Sequence, residues 1–76
     1  MKFITIVNPV SGGKKSIQIF NKVESIFNSH NIKLYKYETE FQGHAEKLIT
    51  DIDINIYDVI IIIGGDGTFH EIVNGL

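Results

Sequence analysis

Seventy-six residues, 43% hydrophobic and 21% charged, suit one small folded domain and exclude disorder, collagen and coiled coil. A chain of this size buries only about 60% of its unfolded surface, too little for a complete two-domain enzyme. The net charge of −2 provides no basic stripe for nucleic acid, and with no arginine in the sequence any anion must be held by backbone N–H groups, hydroxyls or lysine.

In chain order, the hydrophobic period switches repeatedly between strand and helix. Residues 2 to 8 (KFITIVN) are rich in β-branched side chains and end at Asn8-Pro9, a turn signal. Residues 16 to 30 place Ile17, Phe20, Val23 and Phe27 on one helical face, widened by Ile19 and Ile26. Residues 32 to 38 alternate Ile32, Leu34 and Lys36 against Lys33, Tyr35 and Tyr37, the pattern of a less completely buried strand. Residues 44 to 53 set Ala45, Leu48, Ile49 and Ile52 at helical spacing, and 58 to 63 (DVIIII) form an apolar strand of the kind found at the centre of a parallel sheet. A third helix is expected from Thr68. The order β-α-β-α-β-α predicts a three-layer α/β/α fold with a parallel sheet in the order 2-1-3, which sets the two most apolar strands side by side.

Ligands of such sheets bind beyond the carboxyl ends of the strands, where the strand order reverses. Strand 1 leaves into NPVSGGKK and strand 3 into GGDGT, so two glycine-rich loops face each other at that point. Gly12, Gly13, Gly64, Gly65 and Gly67 are expected to allow positive φ and close approach of amides to an anion. Both loops open helices whose N-termini favour phosphate, and their convergence points to a polyphosphate. A carboxylate there, Asp66, repels phosphate unless a cation intervenes, which suggests Mg2+. A turn aspartate bonded to its own backbone is the plainer alternative. Thr68 and Glu71 have the T-x-x-E spacing of a capping box at the start of the third helix.

Other motifs fail. Asn8 and Lys15 stand where a Walker loop needs Gly and Ser or Thr, and His70 where the dinucleotide fingerprint needs Gly or Ala. The His70-Glu71 pair lacks the second histidine of a zinc-protease helix, and the stretch from Asp51 has Ile56 where a calcium loop needs Gly. His30 suits a helix C-terminus, His44 a structural place at the second helix, and His70 a position near a nucleotide. There is no cysteine for a disulfide or thiolate metal site, and no apolar run reaches the roughly 20 residues that cross a bilayer. The expected location is cytoplasmic.

Three stretches carry a family resemblance: Asn8 to Lys14 (NPVSGGK), Thr39 to Ala45 (TEFQGHA) and Gly64 to Leu76 (GGDGTFHEIVNGL). In this order and spacing they resemble the N-terminal motifs of the diacylglycerol kinase catalytic domain, the group that includes bacterial lipid kinases and sphingosine kinases. NAD kinases share the Gly-Gly-Asp-Gly-Thr loop alone. The resemblance implies ATP binding by Asn8, Pro9, Val10, Ser11 and Gly12, by Thr39, and by Gly64, Gly65, Asp66, Gly67 and Thr68, continuing through Phe69, His70 and Glu71. It implies that Asp66 is catalytic near the γ-phosphate, in contact with Mg2+ through a bound water. The acceptor implied is the hydroxyl of diacylglycerol or a related lipid.

In this family the general base and the lipid-binding surface belong to a C-terminal β-rich domain that also brings peripheral membrane contact. Residues 1 to 76 are therefore expected to be the N-terminal part of the ATP-binding domain, inactive alone, with Leu76 a boundary inside the third helix. The sheet edge left bare suggests a homo-oligomer. Two rivals remain: an NAD kinase-like enzyme and a non-catalytic nucleotide-binding module.

Overall fold

The computed structural model describes residues 1–10 and 15–76. β1 (Phe3–Val7), α1 (Lys15–Ser29), β2 (Leu34–Glu38), α2 (His44–Asp51), β3 (Val59–Ile63) and α3 (Asp66–Gly75) follow one another, with a 3-10 turn at Ile54–Ile56 before β3. The three strands are parallel in the order β2-β1-β3, so the expected order 2-1-3 is the observed one. Phe3 lies opposite Leu34 and Val59, and the register runs unbroken to Val7 opposite Glu38 and Ile63.

Strand alternation divides the core in two. Val7 and Ile63 pack with Phe20 of α1 on one face, flanked by Ile17, Leu34 and Ile61. Ile6 packs with Ala45 and Ile49 of α2 and Ile72 of α3 on the other, flanked by Ile52, Ile54, Ile60 and Ile62. One helix thus covers one face and two cover the other. β1 is the central strand: Ile4, Thr5, Ile6 and Val7 are fully buried, whereas β3 is buried only at Ile63. The apolarity of β3 therefore does not place it at the centre of this three-stranded sheet.

Several boundaries differ from expectation for local reasons. α1 ends at Ser29 because Asn31 turns left-handed (φ 59°), which lets Ile32 N–H donate to Phe27 O at 2.9 Å and Asn31 N–H to Asn28 O at 3.0 Å. This is a Schellman closure with asparagine in place of glycine, and His30 sits at the helix end as predicted. It also delays β2 to Leu34. α2 stops at Asp51, since Ile52 is extended and Asp53 instead caps the 3-10 turn through its carboxylate and Asn55 N–H at 3.2 Å.

Ile19 and Ile26 are 49% and 59% exposed, so they do not widen the buried stripe of α1. A helix laid on a sheet buries an arc of about 100°, and these two residues fall outside it. Thr5, at the middle of β1, has a buried hydroxyl with no hydrogen-bond partner. Tyr35 meets Tyr57 edge to face at 5.7 Å, and Lys33 Nζ lies 4.8 Å from the Tyr35 ring. Burial first, then the neighbouring Tyr37 and Tyr35, push the Tyr57 phenol above its ordinary value.

Candidate functional site

At the carboxyl ends of the strands, pairing continues one residue beyond each ladder. Asn8 N–H donates to Ile63 O at 2.9 Å and Thr39 N–H to Val7 O at 2.8 Å. These bonds bring the exits of all three strands to one rim. There the Asn8 side chain joins the first and last: its Nδ2 donates to Thr68 Oγ1 at 3.3 Å, while its Oδ1 accepts from Val10 N–H at 3.2 Å. The second bond closes an asparagine turn across Pro9.

Beyond this junction lies a cleft of about 590 Å³ walled by Asn8, Pro9, Val10, Glu38, Thr39, Glu40, Phe41, Gln42, Gly67, Thr68 and Glu71. Of the residues singled out in the sequence, Asn8, Pro9, Val10, Thr39, Gly67, Thr68 and Glu71 stand in its wall. Gly64 and Gly65 carry the chain from β3 into α3. Asp66 is exposed in the first turn of α3, next to Gly67 and Thr68 but outside the wall. Phe69 and His70 are also exposed and outside it, with their rings 6.5 Å apart. Ser11 and Gly12, with Gly13 and Lys14, lie outside the described residues.

Two local expectations are corrected. α3 begins at Asp66, not Thr68, with extended Gly65 as its N-cap and no side-chain cap. The Thr68–Glu71 capping box therefore does not form, because Thr68 is already inside the first turn and its hydroxyl faces Asn8. The Glu71 carboxylate serves α2 instead. Gly43 N–H donates to its Oε2 at 3.1 Å and Ala45 N–H to its Oε1 at 3.2 Å, so both oxygens hold amides at the α2 N-terminus. A carboxylate there also meets the positive end of that helix.

The glycines differ from expectation as well. Among the described glycines only Gly43 has positive φ (+89°). Gly64 is required by close approach: a Cβ there would come within 2.8 Å of Thr68 Oγ1 and 3.3 Å of Asn8 Cβ. Gly75 lets α3 touch α2, where a Cβ would stand 2.9 Å from Glu46 O. Glu38, Glu40, Phe41 and Gln42 are wall residues that loop chemistry alone did not select. Glu40, Phe41 and Gln42 belong to the Thr39 to Ala45 stretch, which leaves the same end of β2, and Glu38 is the last residue of that strand.

The arrangement suits an extended anion better than a compact one. The first amides of α3 have no side-chain cap, and a Cβ at Gly67 would meet nothing within 4 Å, so space lies open beside them. Thr39 and Thr68, 8% and 5% exposed, add hydroxyls to the wall. No group of three or more His, Cys, Asp or Glu side chains assembles a metal site among the described residues. A hard cation reaching Asp66 would draw its remaining oxygen ligands from a bound phosphate chain and water, as Mg2+ does.

The profile of the diacylglycerol kinase catalytic domain matches residues 2–76. Sphingoid long-chain bases kinase 1 of Arabidopsis thaliana is 46% identical over 77 residues, covering 99% of this chain and 10% of that protein. Sphingosine kinase 1 of Homo sapiens is 30% identical over 76 residues, covering 99% of this chain and 20% of that protein. A solved structure from Bacillus anthracis str. Sterne, proposed to be a diacylglycerol kinase, superposes with a TM-score of 0.77 at 34% identity, covering 99% of this chain and 27% of that one. The chain thus spans between a tenth and about a quarter of the length of these proteins. The chain belongs to the diacylglycerol kinase catalytic domain family.

Proposed function

We propose that the full-length protein is a lipid kinase that transfers the γ-phosphate of ATP to the hydroxyl of diacylglycerol or a related lipid such as a sphingoid base. The observation that carries this reading is the Asn8–Thr68 bond, which joins the mouths of β1 and β3. Family membership supports it. The names of the relatives favour a sphingoid long-chain base, and that of the structural neighbour favours diacylglycerol.

In this proposal the amides of the α3 first turn, with the Thr39 and Thr68 hydroxyls, bind the phosphate chain, and Asp66 holds Mg2+ through water. Mg2+ supplies neutralisation of charge on the transferred group, and most of the remaining catalysis is positioning. The acceptor oxygen bonds to the γ-phosphorus as its bond to the β–γ bridging oxygen breaks. The hydroxyl proton passes to a base in the acceptor-binding part of the full-length protein. Action on a lipid puts the enzyme at the membrane surface as a peripheral cytoplasmic protein. Among the described residues no helix is long and apolar enough to cross a membrane.

The test is transfer from γ-labelled ATP and Mg2+ by the full-length protein to vesicles containing diacylglycerol or sphingosine, with NAD as a third acceptor. Labelled phospholipid or sphingosine phosphate is expected. Label on NAD, or on none of the three, would contradict the reading.

A further inference from the structure

The turn after β2 is built in a way that phosphate binding does not explain. His44 N–H donates to Phe41 O at 3.1 Å, and Gly43 takes φ +89° and ψ −10°, the conformation a type II turn requires at its third position. That turn sets residues 41 and 44 side by side. The Phe41 ring stacks on the His44 ring at 4.4 Å between centroids with 16° between planes. His44 is itself fixed, because its Nδ1 accepts from Glu40 N–H at 2.8 Å. The result is an aromatic ring in the cleft wall that is held firmly from behind and remains 57% exposed.

Glu38, paired with Lys36 at 3.3 Å, and Glu40 share the wall with the ring, and no described wall residue is cationic. The donors for an anion are the uncapped amides and Gly67 at the start of α3, where Asp66 needs a cation to stand beside phosphate. Donors on α3 and a ring beyond β2 suit a nucleotide laid one way round. Its anionic tail lies against α3, and its flat, uncharged end lies against β2, where a ring offers a face and a carboxylate accepts from an exocyclic amine.

Resting on the nucleotide reading above, we propose that Phe41, backed by His44, is the stacking platform for the nucleotide base and a determinant of nucleotide affinity. Neither ring moves a proton or touches a reacting atom. The test is calorimetric titration of the full-length protein with ATP and, separately, with inorganic triphosphate, which has the tail and no base. Base stacking on an aromatic ring is worth roughly 5- to 150-fold in affinity. Phe41→Ala is expected to weaken ATP by about tenfold or more and to leave inorganic triphosphate within about twofold, and Phe41→Tyr to restore ATP binding. Phe41→Leu, which retains apolar bulk without a ring, is expected to behave like Phe41→Ala and guards against a folding effect of truncation. Unchanged ATP affinity in Phe41→Ala, or equal loss of both ligands, would overturn the platform alone. Binding of neither ligand by the wild type would overturn the nucleotide reading and the platform with it.

Discussion

The two ends of the sheet use their polar groups in opposite ways. At the amino ends the chain closes on itself: Asp58 N–H and Val59 N–H both donate to Lys2 O, at 2.8 and 3.3 Å, and Lys2 N–H donates to Asp58 Oδ2 at 2.6 Å. Phe3 meets Phe27 edge to face at 5.1 Å just above, so this end is sealed by its own donors, acceptors and rings. At the carboxyl ends the same strands open into a cleft with uncapped helix amides, buried threonine hydroxyls and an exposed aromatic ring. Backbone groups left without internal partners cost stability unless water or a ligand satisfies them. Keeping such groups at one end alone is what a binding site requires.

Substitutions at the open end should change function more than stability, and those at the closed end should change neither by much. The largest effect is expected from Asp66→Asn, which removes the only carboxylate in the first turn of α3. Turnover of the full-length protein should fall by on the order of 100-fold or more, measured as initial rate at saturating ATP. The melting temperature should hardly move, since Asp66 is exposed. Gly64→Ala comes next. Its methyl would press on Thr68 and separate it from Asn8, with a cost of roughly 1–3 kcal/mol and a loss of ATP affinity visible by titration.

Glu71→Ala leaves the Gly43 and Ala45 amides without their carboxylate and should cost about 1–2 kcal/mol in chemical denaturation, with Glu71→Gln in between. Because those amides hold the turn that presents Phe41, nucleotide affinity should weaken in parallel. The smallest effect is expected at the closed end. Asp58→Asn touches an exposed bond and should stay within about 0.5 kcal/mol of wild type, with unaltered ATP affinity.

Much of this difference between the ends was legible in the sequence, for identifiable reasons. The switching period of the apolar residues specified the element order, and the strongly apolar β1 and β3 specified their adjacency. Asn8-Pro9 and the Gly64 to Gly67 run marked the two exits that meet. What stayed hidden depended on partners distant in the chain. The spacing of Thr68 and Glu71 is the same whether Glu71 caps its own helix or, as here, another one 26 to 28 residues away. The demand for glycine at 64 comes from Thr68 and Asn8 rather than from φ, and at 75 from the backbone of α2. A helical stripe likewise does not reveal how wide a surface will cover it, so Ile19 and Ile26 read as buried and stand in solvent.

Central to this account is that the mouths of β1 and β3 form a single cradle for the phosphate chain of ATP. The most direct measurement is backbone amide NMR of the full-length protein titrated with ATP and Mg2+, following residues 8, 10, 39 and 64 to 71 against the amino-end residues 2, 3, 58 and 59. The account predicts saturable shifts in the first set together, led by Gly67 and Thr68, with the second set unmoved. Shifts confined to one loop, or centred on the amino ends of the strands, would contradict it.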